Sequence, residues 1–180
     1  MRALYARALA GLQGDGVVAA LIEALSESDP AARREVLRSL SRQDDSRAVA
    51  ALLRISIEDR DQANRIIALR GVVNAPRGLD WERLIQRIQS RHYRALSSEE
   101  KDLLVRALGA LGGDSTVPLL RDMIRPRWIP WLERRDDWSR AAAALAHIGT
   151  PTARDALQAF SHHRRSELAS ICVNALRKGK

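Results

Sequence analysis

The sequence predicts an all-α fold, a solenoid of about five stacked antiparallel helix pairs, and three observations carry that expectation. A phrase returns along the chain: Ala8-Leu9 with Leu12, Leu37 with Leu40, Ala68-Leu69 with Val72, Ala107-Leu108 with Leu111, Ala144-Leu145 with Ile148, and Ala175-Leu176. Its leucines stand 28, 32, 39, 37 and 31 residues apart, a loosely fixed period that marks units able to bury their apolar faces only against neighbours. Between these phrases lies a second amphipathic element in every unit, so each unit is two helices. Composition agrees: 46% of residues are apolar but only 4% aromatic, with Ala, Leu and Arg abundant, which suits helices packed through small and aliphatic side chains rather than a sheet.

The elements follow in order. Residues 2–12 read as a lone second helix whose Leu4, Leu9 and Leu12 want a partner. Pairs are then expected at about 16–43, 46–74, 80–112, 115–148 and 151–177. The first helices take their apolar faces from Val17, Val18, Leu21, Ile22 and Leu25, then Val49, Leu52 and Leu53, then Leu84, Ile85 and Ile88, then Leu119, Leu120, Met123 and Ile124, and last Ala153, Ala156, Leu157 and Phe160. Asp29-Pro30 and Thr150-Pro151 each set a capping side chain before a proline at the first helical position. Ser97 with Glu100 forms a capping box. Gly14-Asp15-Gly16, Gly112-Gly113-Asp114 and Gly149-Thr150-Pro151 close one unit and open the next.

The segments Ala107-Leu-Gly-Ala-Leu-Gly-Gly-Asp114-Ser-Thr-Val-Pro-Leu-Leu120 and Ala144-Leu-Ala-His-Ile-Gly-Thr-Pro-Thr-Ala153 resemble HEAT repeats of the short bacterial kind also found in phycobilin lyase subunits. Ser28-Asp29-Pro30-Ala31-Ala32-Arg33-Arg34-Glu35-Val36-Leu37 looks like that family's link into its second helix. The resemblance runs over nearly the whole chain. It implies a right-handed HEAT-like superhelix with the second helices lining a concave face and the first helices on the convex side. Residues 1–180 are expected to form a single domain, in which the orphan second helix at 2–12 is covered by an unusual cap, by the rest of a longer array, or by a second copy in a dimer.

Charge narrows the function classes. The net charge is +8, and 27 of the 30 basic residues are arginine. Arginine forks onto carboxylates and phosphates, so an acidic protein, nucleic acid or anionic lipid would be attracted; the alternative is that these charges are solvated helix faces. Counting from the recurring leucine, arginine stands four before it at Arg33 and Arg65 and one after it at Arg38, Arg70 and Arg177. Stacking in register would place Arg33 with Arg65 and Arg38 with Arg70 as a basic strip on the amino-terminal half of the concave face. Leu104, Gly109, Ala141 and Ala146 interrupt that pattern further on.

A second constellation, residues 124–138, holds three of the seven aromatics, with Arg127, Trp128, Trp131, Arg134, Arg135 and Trp138 as a candidate aromatic and basic loop. Solvent-facing Trp beside Arg suits a binding hot spot or stacking on unpaired bases. The structural reading, in which the rings cap a groove between helices, is preferred because large aromatics are mostly packed. Trp81 is read as core on the same ground.

Catalytic signatures are missing. There is no Gly-rich phosphate loop with Lys-Ser or Lys-Thr, no His-Glu-x-x-His helix and no Gly-x-Ser-x-Gly elbow. His162-His163, adjacent on a helix, make a poor metal clamp, and His92 and His147 stand alone. The repeated His-Glu pairs of iron-binding HEAT hydroxylases are absent as well. No cofactor and no metal are expected. Cys172, the only cysteine, reads as a small core residue among Leu168, Ile171, Ala175 and Leu176. No apolar run approaches bilayer length and no secretory signal opens the chain, so a cytoplasmic location is expected.

The expected function is therefore a non-catalytic scaffold that binds an acidic or amphipathic segment of another protein on Arg33, Arg38, Arg65 and Arg70. The alternative is nucleic-acid binding, of the sort seen in the HEAT-like alkylpurine DNA glycosylases, although no residue here matches their catalytic carboxylate. A role beside a bilin lyase rests on the resemblance alone.

Overall fold

The computed structural model describes residues 15–26, 29–74, 81–126 and 135–179. Among these every regular element is helical: α1 (Asp15–Ala24), α2 (Pro30–Leu40), α3 (Ser46–Glu58), α4 (Gln62–Val73), α5 (Glu82–Gln89), α6 (Ser98–Gly112), α7 (Val117–Ile124), α8 (Arg135–Ile148), α9 (Pro151–Ser161) and α10 (Ser166–Lys178). Short 3₁₀ turns, Arg91–Ala95 and Gly113–Thr116, precede α6 and α7. The five expected pairs are all present: α1 with α2, α3 with α4, α5 with α6, α7 with α8, and α9 with α10. The helix expected at 2–12, and the dimer contact drawn from it, lie outside the described residues.

Local chemistry sets the boundaries. Asp29 accepts from the backbone N–H groups of Ala31 and Ala32 at 3.1 Å each, with Pro30 opening α2. Asp45 and Asp61 cap α3 and α4 in the same way, through Arg47 N–H at 2.7 Å and Ala63 N–H at 2.8 Å. The Ser97–Glu100 capping box closes in both directions at 3.2 Å, and Thr150 takes the N–H of Ala153. Each side chain supplies an acceptor that the first helical turn lacks, worth about 1 kcal/mol. Gly113 (φ 50°) and Gly149 (φ 70°) turn the chain at unit ends through the left-handed region that other residues avoid.

One cluster of buried side chains runs from Val18 to Ala175. The recurring Leu37, Leu69, Leu108 and Leu145 sit in it at 0–2% exposure, while Leu176 on the last helix is half-buried. Consecutive second helices, α2, α4, α6, α8 and α10, pack closely along one row, whereas the first helices α1, α3, α7 and α9 touch their row neighbours only lightly. The closer-packed row lies on the inside of a bend, which makes the second helices the concave wall. Close approach also explains the lost arginines. A Cβ on Gly109 would stand 3.3 Å from the Cβ of Ala144, and Leu104 and Ala141 are buried at 1% and 0% exposure, so at these three positions there is no room for a long side chain.

Ser98–Ile124 is one stretch that length and hydropathy alone would allow to cross a bilayer, contrary to the sequence reading. In the fold 67% of its most apolar window is buried, and it divides at Gly113–Thr116 into α6 and α7. Its apolarity is that of a helix packed between neighbours on both sides. Cys172 is fully buried, and burial pushes its thiol up to about 11, which leaves it a packing residue.

Candidate functional site

The four arginines expected to form one strip fall into two layers. Arg33 reaches forward from α2 to Asp59 in the α3–α4 turn at 2.8 Å, where the carboxylate is 1% exposed. Arg65 reaches from α4 to Glu100 in the first turn of α6 at 2.7 Å, with the side chains 14% and 3% exposed. These two are corrected from contact residues to joints between units: a guanidinium four positions before the recurring leucine points into the junction and meets the next unit's carboxylate. Arg34 adds an outer pair to Asp61 at 3.0 Å.

The Asp59 carboxylate also accepts from Asn64 at 3.3 Å and from the backbone N–H of Asp61 at 2.8 Å. Burial pushes the Asp59 carboxyl up, but Arg33 and these hydrogen bonds together hold it below its ordinary value. Burial likewise raises Glu100, and Arg65 with the capping contacts from Ser97 more than offsets it.

The third junction uses other residues. Arg140 of α8 donates to Asp102 of α6 at 2.5 Å, to Asp137 at 3.1 Å and to Ser98 at 2.8 Å. Tyr93, fully buried, donates its hydroxyl to Asp137 at 3.0 Å. Burial lowers the Arg140 pKa, and Asp102 and Asp137 raise it beyond the ordinary value. Sequence reasoning missed Arg140 because it stands five before its leucine, one place out of the register used to find Arg33 and Arg65.

What remains on the concave wall is the line two before and one after the leucine: Glu35 and Arg38, Ile67 and Arg70, Arg106, Ala143 and Ala146, Asn174 and Arg177. Arg38 is exposed and pairs with Glu35 on its own helix; Arg70 is exposed and pairs with Glu99 at 2.6 Å. Arg106 is exposed and makes no ion pair among the described residues. It was passed over for the same reason as Arg140, since it too falls off the counted positions.

The aromatic and basic loop is mostly out of view: Arg127, Trp128, Trp131 and Arg134 lie outside the described residues. Trp138 is packed, as the preferred structural reading of the aromatics expects, but on a helix and not in a loop. It sits in the first turn of α8 at 2% exposure, with the guanidinium of Arg165 lying 6.0 Å from its ring centroid. Arg135 is exposed and pairs with Glu167 at 3.3 Å. Trp81 is half-buried beside Gly112, where a Cβ would stand 3.3 Å from its indole. Among the described residues no three His, Cys, Asp or Glu side chains come together in a way that could hold a metal ion.

A further opening lies between α8 and α10, a groove of about 600 Å³ lined by alanine on one wall and by Ile171, Asn174 and Lys178 on the other.

Residues 1–72 match the family model described as HEAT repeats, and residues 139–163 match that of the PBS lyase HEAT-like repeat. No curated protein matches the sequence significantly. A solved structure of human deoxyhypusine hydroxylase in complex with glycerol aligns over 97% of this chain and 88% of that one, at 18% identity and a TM-score of 0.40, a likeness too low to bear on function. Both matches are to HEAT-type repeats, the first running through α1 to α4 and the second spanning α8 and α9, and the chain is a member of the HEAT-repeat family.

Proposed function

We propose that this chain is a non-catalytic scaffold that binds an acidic or amphipathic segment of another protein along the exposed line of its second helices. The observation that supports it is the continuity of that line: five neighbouring helices present solvent-facing side chains to one side, and the described chain folds nothing over them. Arg38, Arg70 and Arg106 are its cationic contacts. The pairs Arg38–Glu35 and Arg70–Glu99 are exposed, so a partner carboxylate replaces a resident one at a cost of about 0.2–1 kcal/mol per pair. Arg106 requires no displacement. Arg33 and Arg65 contribute only by holding the units in register.

Peptide-display selection on the purified chain, with peptides of about seven residues that are too short to hold a helix and so to fill the α8–α10 groove, tests this. Wild-type protein is expected to enrich peptides carrying several Asp or Glu residues, and the variant Arg38→Glu/Arg70→Glu/Arg106→Glu is expected to lose them while its helicity stays the same. Enrichment that ignores peptide charge, or that survives the triple reversal, would contradict the reading. Nucleic acid is the competing occupant given the charge of +8. A duplex or single-stranded DNA shift whose affinity falls steeply with salt, together with no selected peptide, would replace the protein-binding reading by that one.

A further inference from the structure

The groove between α8 and α10 has a direction, and the direction selects an occupant. The two helices run parallel: Arg135 at the start of α8 pairs with Glu167 at the start of α10, and at the far end Gly179 lies so close to Ala146 that a Cβ would stand 3.0 Å from its carbonyl oxygen. One wall is Ala142, Ala143 and Ala146; the other is Ile171, Asn174 and Lys178. Methyl-sized side chains let an incoming backbone approach closely, and Ile171 supplies apolar surface beside them.

Charge is unequal at the two ends. The carboxyl-terminal end carries Arg177 and Lys178, both exposed and neither in an ion pair among the described residues. The amino-terminal end carries Arg135, Arg164 and Arg165 against Asp136, Asp137 and Glu167, so its charges balance. The carbonyl ends of two parallel helices also add partial negative charge at the basic end. An occupant that satisfies both fields is itself a helix with its positive amino terminus there and its acidic side chains against the cations, the arrangement that also stabilises its own first turn.

Resting on the scaffold reading above, we infer that this groove docks an amphipathic α-helix of another protein, antiparallel to α8 and α10. Its apolar stripe lies on Ala143, Ala146 and Ile171, and its acidic first turn meets Arg177 and Lys178.

Two synthetic helical peptides on the order of 15 residues, long enough to populate helix, provide the test. Both carry leucine at i, i+3, i+4 and i+7; one has glutamates in its first turn and lysines in its last, the other the reverse. Fluorescence anisotropy with the full chain is expected to show the acid-first peptide bound at least about tenfold more tightly, a difference of about 1.4 kcal/mol. Arg177→Glu/Lys178→Glu should invert the ranking, and Ala143→Trp should remove binding of both while circular dichroism is unchanged. Arg38→Glu/Arg70→Glu/Arg106→Glu should leave this binding as it is. Equal affinity of the two peptides, no binding of either, or binding undiminished by Ala143→Trp would overturn the inference. The wider reading fails separately: it falls if display selects no acidic peptide, even where the groove still binds its helix.

Discussion

Replacing Arg65 by alanine is expected to destabilise the fold by about 3–5 kcal/mol, the range for removing one partner of a buried ion pair. The reason is what stays behind. Glu100 is 3% exposed in its side chain and still holds the capping contacts of Ser97, so it cannot turn to solvent without uncapping α6. At roughly 2–4 °C per kcal/mol for a chain of this size, thermal denaturation should move down by roughly 6–20 °C. Arg65→Leu combined with Glu100→Gln should recover most of the loss, because the buried charge goes with its partner while the amide oxygen keeps the cap. A shift below about 1 kcal/mol for Arg65→Ala would place this pair with ordinary surface pairs and remove the joint.

The same carboxylates set an acid limit. Asp59 and Glu100 are both held below their ordinary values of 3.8 and 4.5 in the folded chain. A depressed folded pKa adds stability above the unfolded value, and that stability is lost as pH falls through the folded pKa. Denaturation midpoints should therefore drop from the ordinary carboxylate range downward. Arg65→Ala, with no cation beside Glu100, should lose less of its remaining stability over the same fall.

Trp138→Ala is the second large effect, at about 3–5 kcal/mol by urea denaturation, as for other large aromatics removed from a core. The ring is 2% exposed among neighbours of α8, with Arg165 against its face, and truncation leaves a cavity that rigid helices fill only in part. Trp138→Phe should lose less. A near-neutral Trp138→Ala would mean that the side chain belongs to the surface, as in the binding hot-spot alternative for residues 124–138.

The architecture was legible because it rests on patterns that survive averaging. Leu37, Leu69, Leu108 and Leu145 repeat because each fills the same place against the next unit, and the caps at Asp29, Ser97 and Thr150 declare helix starts within a few residues. The site was legible only in part. Register placed Arg33 and Arg65 on equivalent turns, but register says nothing of what an arginine meets; the answer lay at Asp59 and Glu100, 26 and 35 residues away. Arg140 and Arg106 were missed because the longer α6 and α8 carry their charges off the counted positions. Trp138 was grouped with Trp128 and Trp131 by proximity in sequence, whereas its own place is on α8 in the core. The groove at Ala142, Ala143 and Ala146 has no sequence signature, since a run of alanine reads as helix propensity until a neighbouring helix leaves space beside it.

Site-specific photo-crosslinking in the native cell tests the central claim most directly. A crosslinker is placed at the second-helix positions Arg106 and Ala143, and separately at the exposed first-helix positions Arg54 and Gln158. Adducts with one and the same protein from Arg106 and Ala143, and none from Arg54 or Gln158, are the expected result. Adducts confined to Arg54 and Gln158 would put the working surface on the opposite side of the array and contradict the account.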